Sequence, residues 1–422
     1  MTKTKAALYG LLGAFAAGAL FYALQFSRPA DSMPVSAASA EQSLEALRER
    51  GDMAAQRRHV WALLAAITKP SKNGRPGFET WHGEGELFGS PAPVHPHPGI
   101  AGFYRTDDGT AALEPHADVP VLTYTLYNEP AFQHIIRYRL NWAAGLERLR
   151  RTGPADAQVP GDRAVPAFPA SSVVLKTVWW PVAPDGVTAM PVWDPDANPA
   201  LKGGNPYTSW SRVVGVDPSG GGAATVAVDF AGASYPKARR VGLDAFYHVR
   251  VDAGMARRMM ADRPTAKAML IALGRPLQAG DYLALVGVNL ATREIPEWIW
   301  AGFWWHDRPA DGAFAAGRPE TLRGAWRNYL MAAAFDTSRP AAMDGGAHIA
   351  FNPWLEGRFP DGGHGSGLSS NCQACHARAS YPAVMFLPVT RGDPDLKADR
   401  AYAPGRLRTS FLWSLAMHAK TE

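Results

Sequence analysis

The 422-residue chain reads as an α+β protein, an antiparallel β core with peripheral helices. Three observations predict it. Seven short runs between 173 and 305 are rich in β-branched and aromatic residues and are bounded by Gly, Pro or Asp, the signature of strands joined by turns. Outside them, apolar residues recur at three- and four-residue spacing, which turns one face of a helix towards a core. The 35 prolines and 41 glycines supply the turns such a topology needs, and 14 tryptophans predict an aromatic interior.

Taken in order, residues 1–27 place Lys3 and Lys5 before an apolar run at 6–26 long enough to cross a bilayer. That pattern predicts a membrane anchor with the body exported, while Ala38-Ser39-Ala40 resembles a signal-peptidase site and keeps cleavage open. Residues 28–40 read as a linker. The region 41–152 reads as mainly helical. Its first helix carries Leu44, Leu47, Val60, Leu63, Leu64 and Ile67 on one face, with a break at Gly51-Asp52. Its second, about 129–151, is capped by Asn128 and has Pro130 in its first turn.

Residues 153–310 form the β-rich core, with strands expected at 173–182, 187–193, 212–216, 225–230, 247–251, 282–290 and 298–305. The last two read as an antiparallel hairpin. A helix at about 255–274 interrupts the set, and another at about 320–335 opens the C-terminal region, 311–422.

A net charge of +5, dispersed along the chain, and 47% hydrophobic residues describe an ordinary globular body. No basic stripe or recognition motif points to nucleic acid as a partner.

The two cysteines stand in Cys372-Gln-Ala-Cys375-His376. C-x-x-C-H is the attachment pattern of haem c: each thiol adds across a porphyrin vinyl group, and the adjacent imidazole ligates the iron. On one helical turn the thiols point to one side, and the histidine follows beneath the metal. A zinc site lacks a second cysteine pair, although His348 and His364 lie upstream. A redox pair of the thioredoxin kind follows a strand, whereas a glycine-rich run leads in here. The assignment is one covalent haem c held by Cys372, Cys375 and His376, with His376 on the iron.

The rest of the chain does not match the small all-helical cytochrome c fold, because no confident helix immediately precedes the motif. The stretches FNPWLEGRFPDG, SNCQACHARASYP and LRTSFLWSL, with GDYLALVGVNL, EWIWAGFWWHD and VVLKTVWWPV, resemble a family of large, poorly characterised bacterial single-haem cytochrome c proteins. The similarity covers roughly residues 75 to 415 and implies haem binding with electron transfer. More distantly, strand-rich sequence ending in C-x-x-C-H is similar to the lysine-cross-linked haem cytochromes that oxidise hydroxylamine, and to their gas-binding relatives.

The other face of the iron decides the function. A sixth protein ligand favours electron transfer, and an open face favours a haem enzyme or gas sensor. The candidate ligands are Met343, His348, His364, Met385, Met417 and His418. Lys176 lies inside an apolar strand, where the resemblance to the lysine-linked enzymes directs attention to it; strand alternation alone assigns it to a solvent face.

His306-Asp307 ends an aromatic strand and offers a distal acid–base pair or a strand-end turn. His95 and His97, between prolines, offer a metal site or a surface loop. Trp179, Trp180, Trp304 and Trp305 fill a core or relay electrons. The expected partner is a redox protein, the expected location the periplasm.

Overall fold

The strand-forming runs pair as their composition predicts, in three sheets. In the computed structural model the described residues are 44–72, 74–89, 99–100, 119–157, 159–194, 206–310, 312–335, 350–357, 372–383 and 405–421. The helices, in chain order, are α1 (Leu44–Arg50), α2 (Met53–Ile67), α3 (Glu84–Phe88), α4 (Glu129–Tyr138), α5 (Ala143–Thr152), α6 (Ala253–Met260), α7 (Arg263–Leu273), α8 (Pro353–Glu356), α9 (Cys372–His376) and α10 (Trp413–His418). The strands are β1 (His82–Gly83), β2 (Gly99–Ile100), β3 (Leu122–Tyr127), β4 (Arg163–Ala164), β5 (Val173–Val182), β6 (Thr188–Val192), β7 (Arg212–Asp217), β8 (Thr225–Phe230), β9 (Ala233–Gly242), β10 (His248–Arg250), β11 (Tyr282–Thr292), β12 (Ile299–Trp305), β13 (Tyr329–Ala334), β14 (Ser380–Tyr381) and β15 (Leu407–Arg408).

The main sheet runs β1-β3-β5-β11-β12-β13, with β2 on β3 and β10 on β11, and every pairing in it is antiparallel. A second sheet, β6-β7-β9-β8, contains one parallel pair, β7 with β9. A small sheet, β14-β15-β4, ties the motif region to the body. Helices pack around these sheets, so the fold is α+β.

The main sheet draws strands from all three regions, 41–152, 153–310 and 311–422. Its centre is covered on both faces, which is why β12 and β13 are buried along their whole length. On one face Trp61 of α2 meets Phe303 edge-on, with ring centroids 5.4 Å apart. On the other, the segment 350–357 lies flat against β11 and β12.

Glycine makes that approach possible. A Cβ on Gly302 would sit 1.8 Å from the carbonyl oxygen of Phe351, and one on Gly287 would sit 2.9 Å from the Asn352 side chain. Asn352 then donates to the Phe303 carbonyl and accepts from the Trp354 N–H, which fixes the start of α8.

Several expectations need correction. The helix expected at 320–335 is a short 3₁₀ turn followed by β13, because pairing of Tyr329–Ala334 with β12 outweighs the helix preference of Leu, Met and Ala. The helix expected at 129–151 breaks at Arg139, whose φ of 56° is left-handed, and the one at 255–274 breaks where Asp262 caps α7 and Pro264 enters its first turn. Apart from β13 and the two-residue strands, two more strands, β3 and β9, were not legible. β3 sits among helices, and β9 buries too few side chains to show alternation.

The expectation of a membrane-crossing helix is also corrected. No helix among the described residues is long and apolar enough to cross a membrane. The longest of these, α2, has 15 residues; at 1.5 Å per residue it falls short of a hydrocarbon core of about 30 Å. The run at 6–26 lies outside the described residues.

Candidate functional site

The short helix α9 is pinned from three sides. Its first residue, Cys372, donates its N–H to Ala350 at 2.8 Å, and so hangs from the segment that Gly302 and Gly287 admit. Gln373 donates from its amide to the carbonyls of Glu297 and Trp298, just before β12. Beyond the helix, Ser380 pairs with Arg408 in the small sheet. Both thiols are free, and burial raises them: Cys375 to about 11, Cys372 well above the usual thiol range. They are neutral thiols, unlike the low-pKa cysteine of a redox pair.

His376 is oriented by a strained turn. Ser410 and Phe411 both have positive φ, 50° and 65°, a conformation that costs a non-glycine residue about 1–2 kcal/mol. That turn presents the Phe411 carbonyl to His376 Nδ1 at 2.6 Å. The Nδ1–H donates there, which leaves Nε2 as the basic nitrogen. The ring also lies against Trp300, with centroids 4.2 Å apart. Burial lowers its pKa to about 4, with Lys176 adding to the effect, so the imidazole is neutral at pH 7.

His376 opens onto a narrow cleft of about 110 Å³. Lys176 and Val174 of β5, Asn289 of β11, Trp300 of β12 and Glu356 of α8 form its walls, with Thr123 and Thr125 of β3. Met417 and His418 of α10 border the same space. Lys176 therefore faces the cleft. The solvent-face reading from alternation is corrected, because that face of β5 is the one the cleft hollows out.

Glu356 is the residue that sequence reasoning missed. Its carboxylate accepts the Asn352 N–H at 2.5 Å and lies 3.3 Å from the Asn289 amide nitrogen. Burial raises its pKa to about 7; the Asn352 N–H, Lys176 and Asn289 act in the opposite direction. Its charge adds to the effect of burial in raising the Cys372 thiol. The signal available was one acidic residue inside the otherwise apolar run FNPWLEG. Asn289 Oδ1, in the cleft wall, is buried without a hydrogen-bond partner among the described residues.

Of the six candidate sixth ligands, Met417 and His418 come to the cleft. Met417 packs on Ala379 and Trp413, and His418 reaches Glu84 at 3.5 Å. Met343, His348, His364 and Met385 lie outside the described residues, as do His95 and His97. His306 and Asp307 do not line the cleft; Asp307 takes a two-point ion pair from Arg212 at 2.7 and 2.8 Å. The distal acid–base reading of that pair is corrected to a structural one. Trp180 and Trp304 pack among other aromatic rings and Trp305 donates to Ala245, as core residues do.

Among the described residues no group of three or more His, Cys, Asp or Glu is arranged to hold a metal ion. The motif supplies the donor types that hold a porphyrin, two neutral thiols on one helical turn and a neutral imidazole with one nitrogen tied back. The cleft beside them is lined by His376 but by neither thiol, and its wall mixes Trp300, Val174 and Leu290 with polar groups, one of them an orphaned acceptor. Comparison with family models, with curated proteins and with solved structures finds no match.

Proposed function

We propose that the chain is a single-haem c-type cytochrome that moves electrons through a haem seated in this cleft. Cys372 and Cys375 would hold the porphyrin and His376 Nε2 would ligate the iron, which supplies one-electron chemistry when bound. The observation that carries the reading is His376 itself, half-buried, neutral and with Nδ1 committed to Phe411, next to Cys375 in the chain and lining the cleft. Met417 and His418 stand at the same cleft and supply a choice of sixth ligand, the arrangement that suits outer-sphere transfer. Haem attachment outside the bacterial cytoplasm supports a periplasmic body and a protein redox partner.

A second reading has its own observation. The cleft wall includes Lys176, Glu356, Asn289, Thr123 and Thr125, more polar groups than a shielded electron carrier needs. With an open distal face, those groups would bind a small molecule, and Glu356, with its pKa near neutrality, would take or return its proton. An optical spectrum of the reduced protein with and without carbon monoxide separates the two. A low-spin spectrum insensitive to the gas supports electron transfer, and rapid carbon monoxide binding transfers the weight to the second reading.

A further inference from the structure

We propose that His82 is a pH-sensitive latch on the rim of the cleft: its imidazolium fastens the first turn of α3 to α4, and loss of its proton frees that turn together with Glu84. The inference stands apart from what fills the cleft.

The geometry calls for a proton on each ring nitrogen. His82 Nδ1 lies 2.7 Å from Glu86 Oε2 in α3, and Nε2 lies 2.8 Å from Glu129 Oε2 in α4. A carboxylate only accepts, so both nitrogens donate, and only the imidazolium has two N–H groups. The ring is buried and stacks on Phe132 of α4, with centroids 3.7 Å apart, which leaves water little room to replace a lost bond.

The groups packed around the ring favour its charged form. Burial alone would lower the pKa of His82, but the hydrogen bonds and charges of Glu86 and Glu129 outweigh it, and the net shift is upward. From β3 come Tyr124 and Tyr127, both kept neutral because burial raises their hydroxyls above the usual range. With its folded pKa raised above 6.5, the latch is fully engaged below that value and is lost as pH rises through the higher one.

Deprotonation cuts the link whichever nitrogen loses its hydrogen. If Nδ1 keeps it, Glu129 faces a lone pair; if Nε2 keeps it, Glu86 does. With five residues, α3 is too short to hold its shape unaided. Its far end is anchored separately by the buried Leu87, whose carbonyl accepts from Asn141 at 2.9 Å. In the first turn, Glu86 accepts from the Gly83 N–H at 3.3 Å, and the bond to His82 carries it across to α4. That turn bears on the cleft, because Glu84 lines it and lies 3.5 Å from His418 Nε2 of α10, another part of the same wall. A freed turn breaks this bridge and widens the mouth.

The test is hydrogen exchange by mass spectrometry on the full chain at about pH 5.5 and about pH 8.5, corrected for the intrinsic pH dependence of exchange. Histidine Cε1–H resonances are followed by NMR over the same range. In wild type, exchange over residues 82–88 rises about tenfold between the two conditions, the effect of losing one hydrogen bond to a charged group, while 299–305 stays protected. In His82→Gln, exchange over 82–88 is fast at both, and the resonance that this variant removes titrates above 6.5 in wild type. Flat exchange over 82–88 in wild type overturns the proposal, as does a rise that persists in His82→Gln. An equal rise over 299–305, or a His82 midpoint at or below 6.5, does the same. Should His82→Gln fail to fold, Glu129→Gln replaces it: the highest histidine midpoint moves down when one carboxylate is removed, and an unmoved midpoint overturns the latch.

Discussion

The two ends of β12 handle buried charge in opposite ways. At its C-terminal end, Asp307 is held by both arms of the Arg212 guanidinium, and Arg212 also reaches Asp194 at 2.7 Å. Charges there meet opposite charges at hydrogen-bond distance. At the other end, Trp300 lies on His376, and the cleft's acid and base are driven towards their neutral forms, Glu356 up to about 7 and His376 down to about 4. Paired charges stabilise a corner and do nothing else; groups neutralised by burial can still exchange protons or bind a metal.

The largest effect should come from removing the chemistry of one end while sparing the other. The Cys372→Ser/Cys375→Ser double variant is expected to lose all covalent haem in denaturing electrophoresis followed by haem staining. Arg212→Met should keep the haem and lose about 3 kcal/mol in denaturant unfolding, because it leaves Asp307 buried without its main partner. Haem that survives the double substitution would falsify the attachment site.

Next in size is Gly302→Ala, which drives a methyl group into the Phe351 carbonyl and pushes 350–357 off the sheet. A loss of about 2–3 kcal/mol is expected, together with poorer attachment at Cys372, which hangs from Ala350. Unchanged stability would mean that the segment shifts freely and does not position the motif.

The pH dependence of the haem-free protein sharpens the contrast. Glu356 has a folded pKa raised from 4.5 to about 7, so the unfolded chain ionises first and stability falls as pH rises between those values. For His376 the folded pKa is lowered from 6.5 to about 4, so its contribution is full above 6.5 and is lost as pH falls through that window. The two slopes oppose each other between about pH 4.5 and 6.5. Glu356→Gln removes the first, and unfolding midpoints should then climb with pH across that window, whereas wild type changes little from this pair. Parallel curves for the two proteins would count against a shifted Glu356.

The smallest and most selective effect concerns the sixth ligand. If haem c is low-spin, either Met417→Ala or His418→Ala should make it high-spin and open it to carbon monoxide, with the other variant unchanged. Two silent variants would remove both residues as ligands.

Much of this was legible before any coordinates. The hairpin of β11 and β12, the cap at Asn128 and strands such as β8 are written in local pattern, because alternation and capping are properties of neighbouring residues. Lys176 stood out as a cation in an apolar run for the same reason. Glu356 did not. A single carboxylate in an aromatic stretch has no periodicity, and its meaning depends on Cys372 and Asn289, which belong to other elements.

By itself the sequence determined the fold class and most strands of the region 153–310, and it singled out Cys372, Cys375 and His376 as the candidate site, since the spacing of thiols and imidazole on one helical turn is local chemistry. Only the tertiary structure decided what surrounds them. It placed Lys176, Glu356, Met417 and His418 around one cleft, removed His306 and Asp307 to an ion-paired corner, and turned the Phe411 carbonyl onto His376. The reason is physical: burial, dielectric and hydrogen-bond partners are set by which distant segments touch, and here that contact depends on two glycines whose missing Cβ atoms let one strand of chain lie against the sheet.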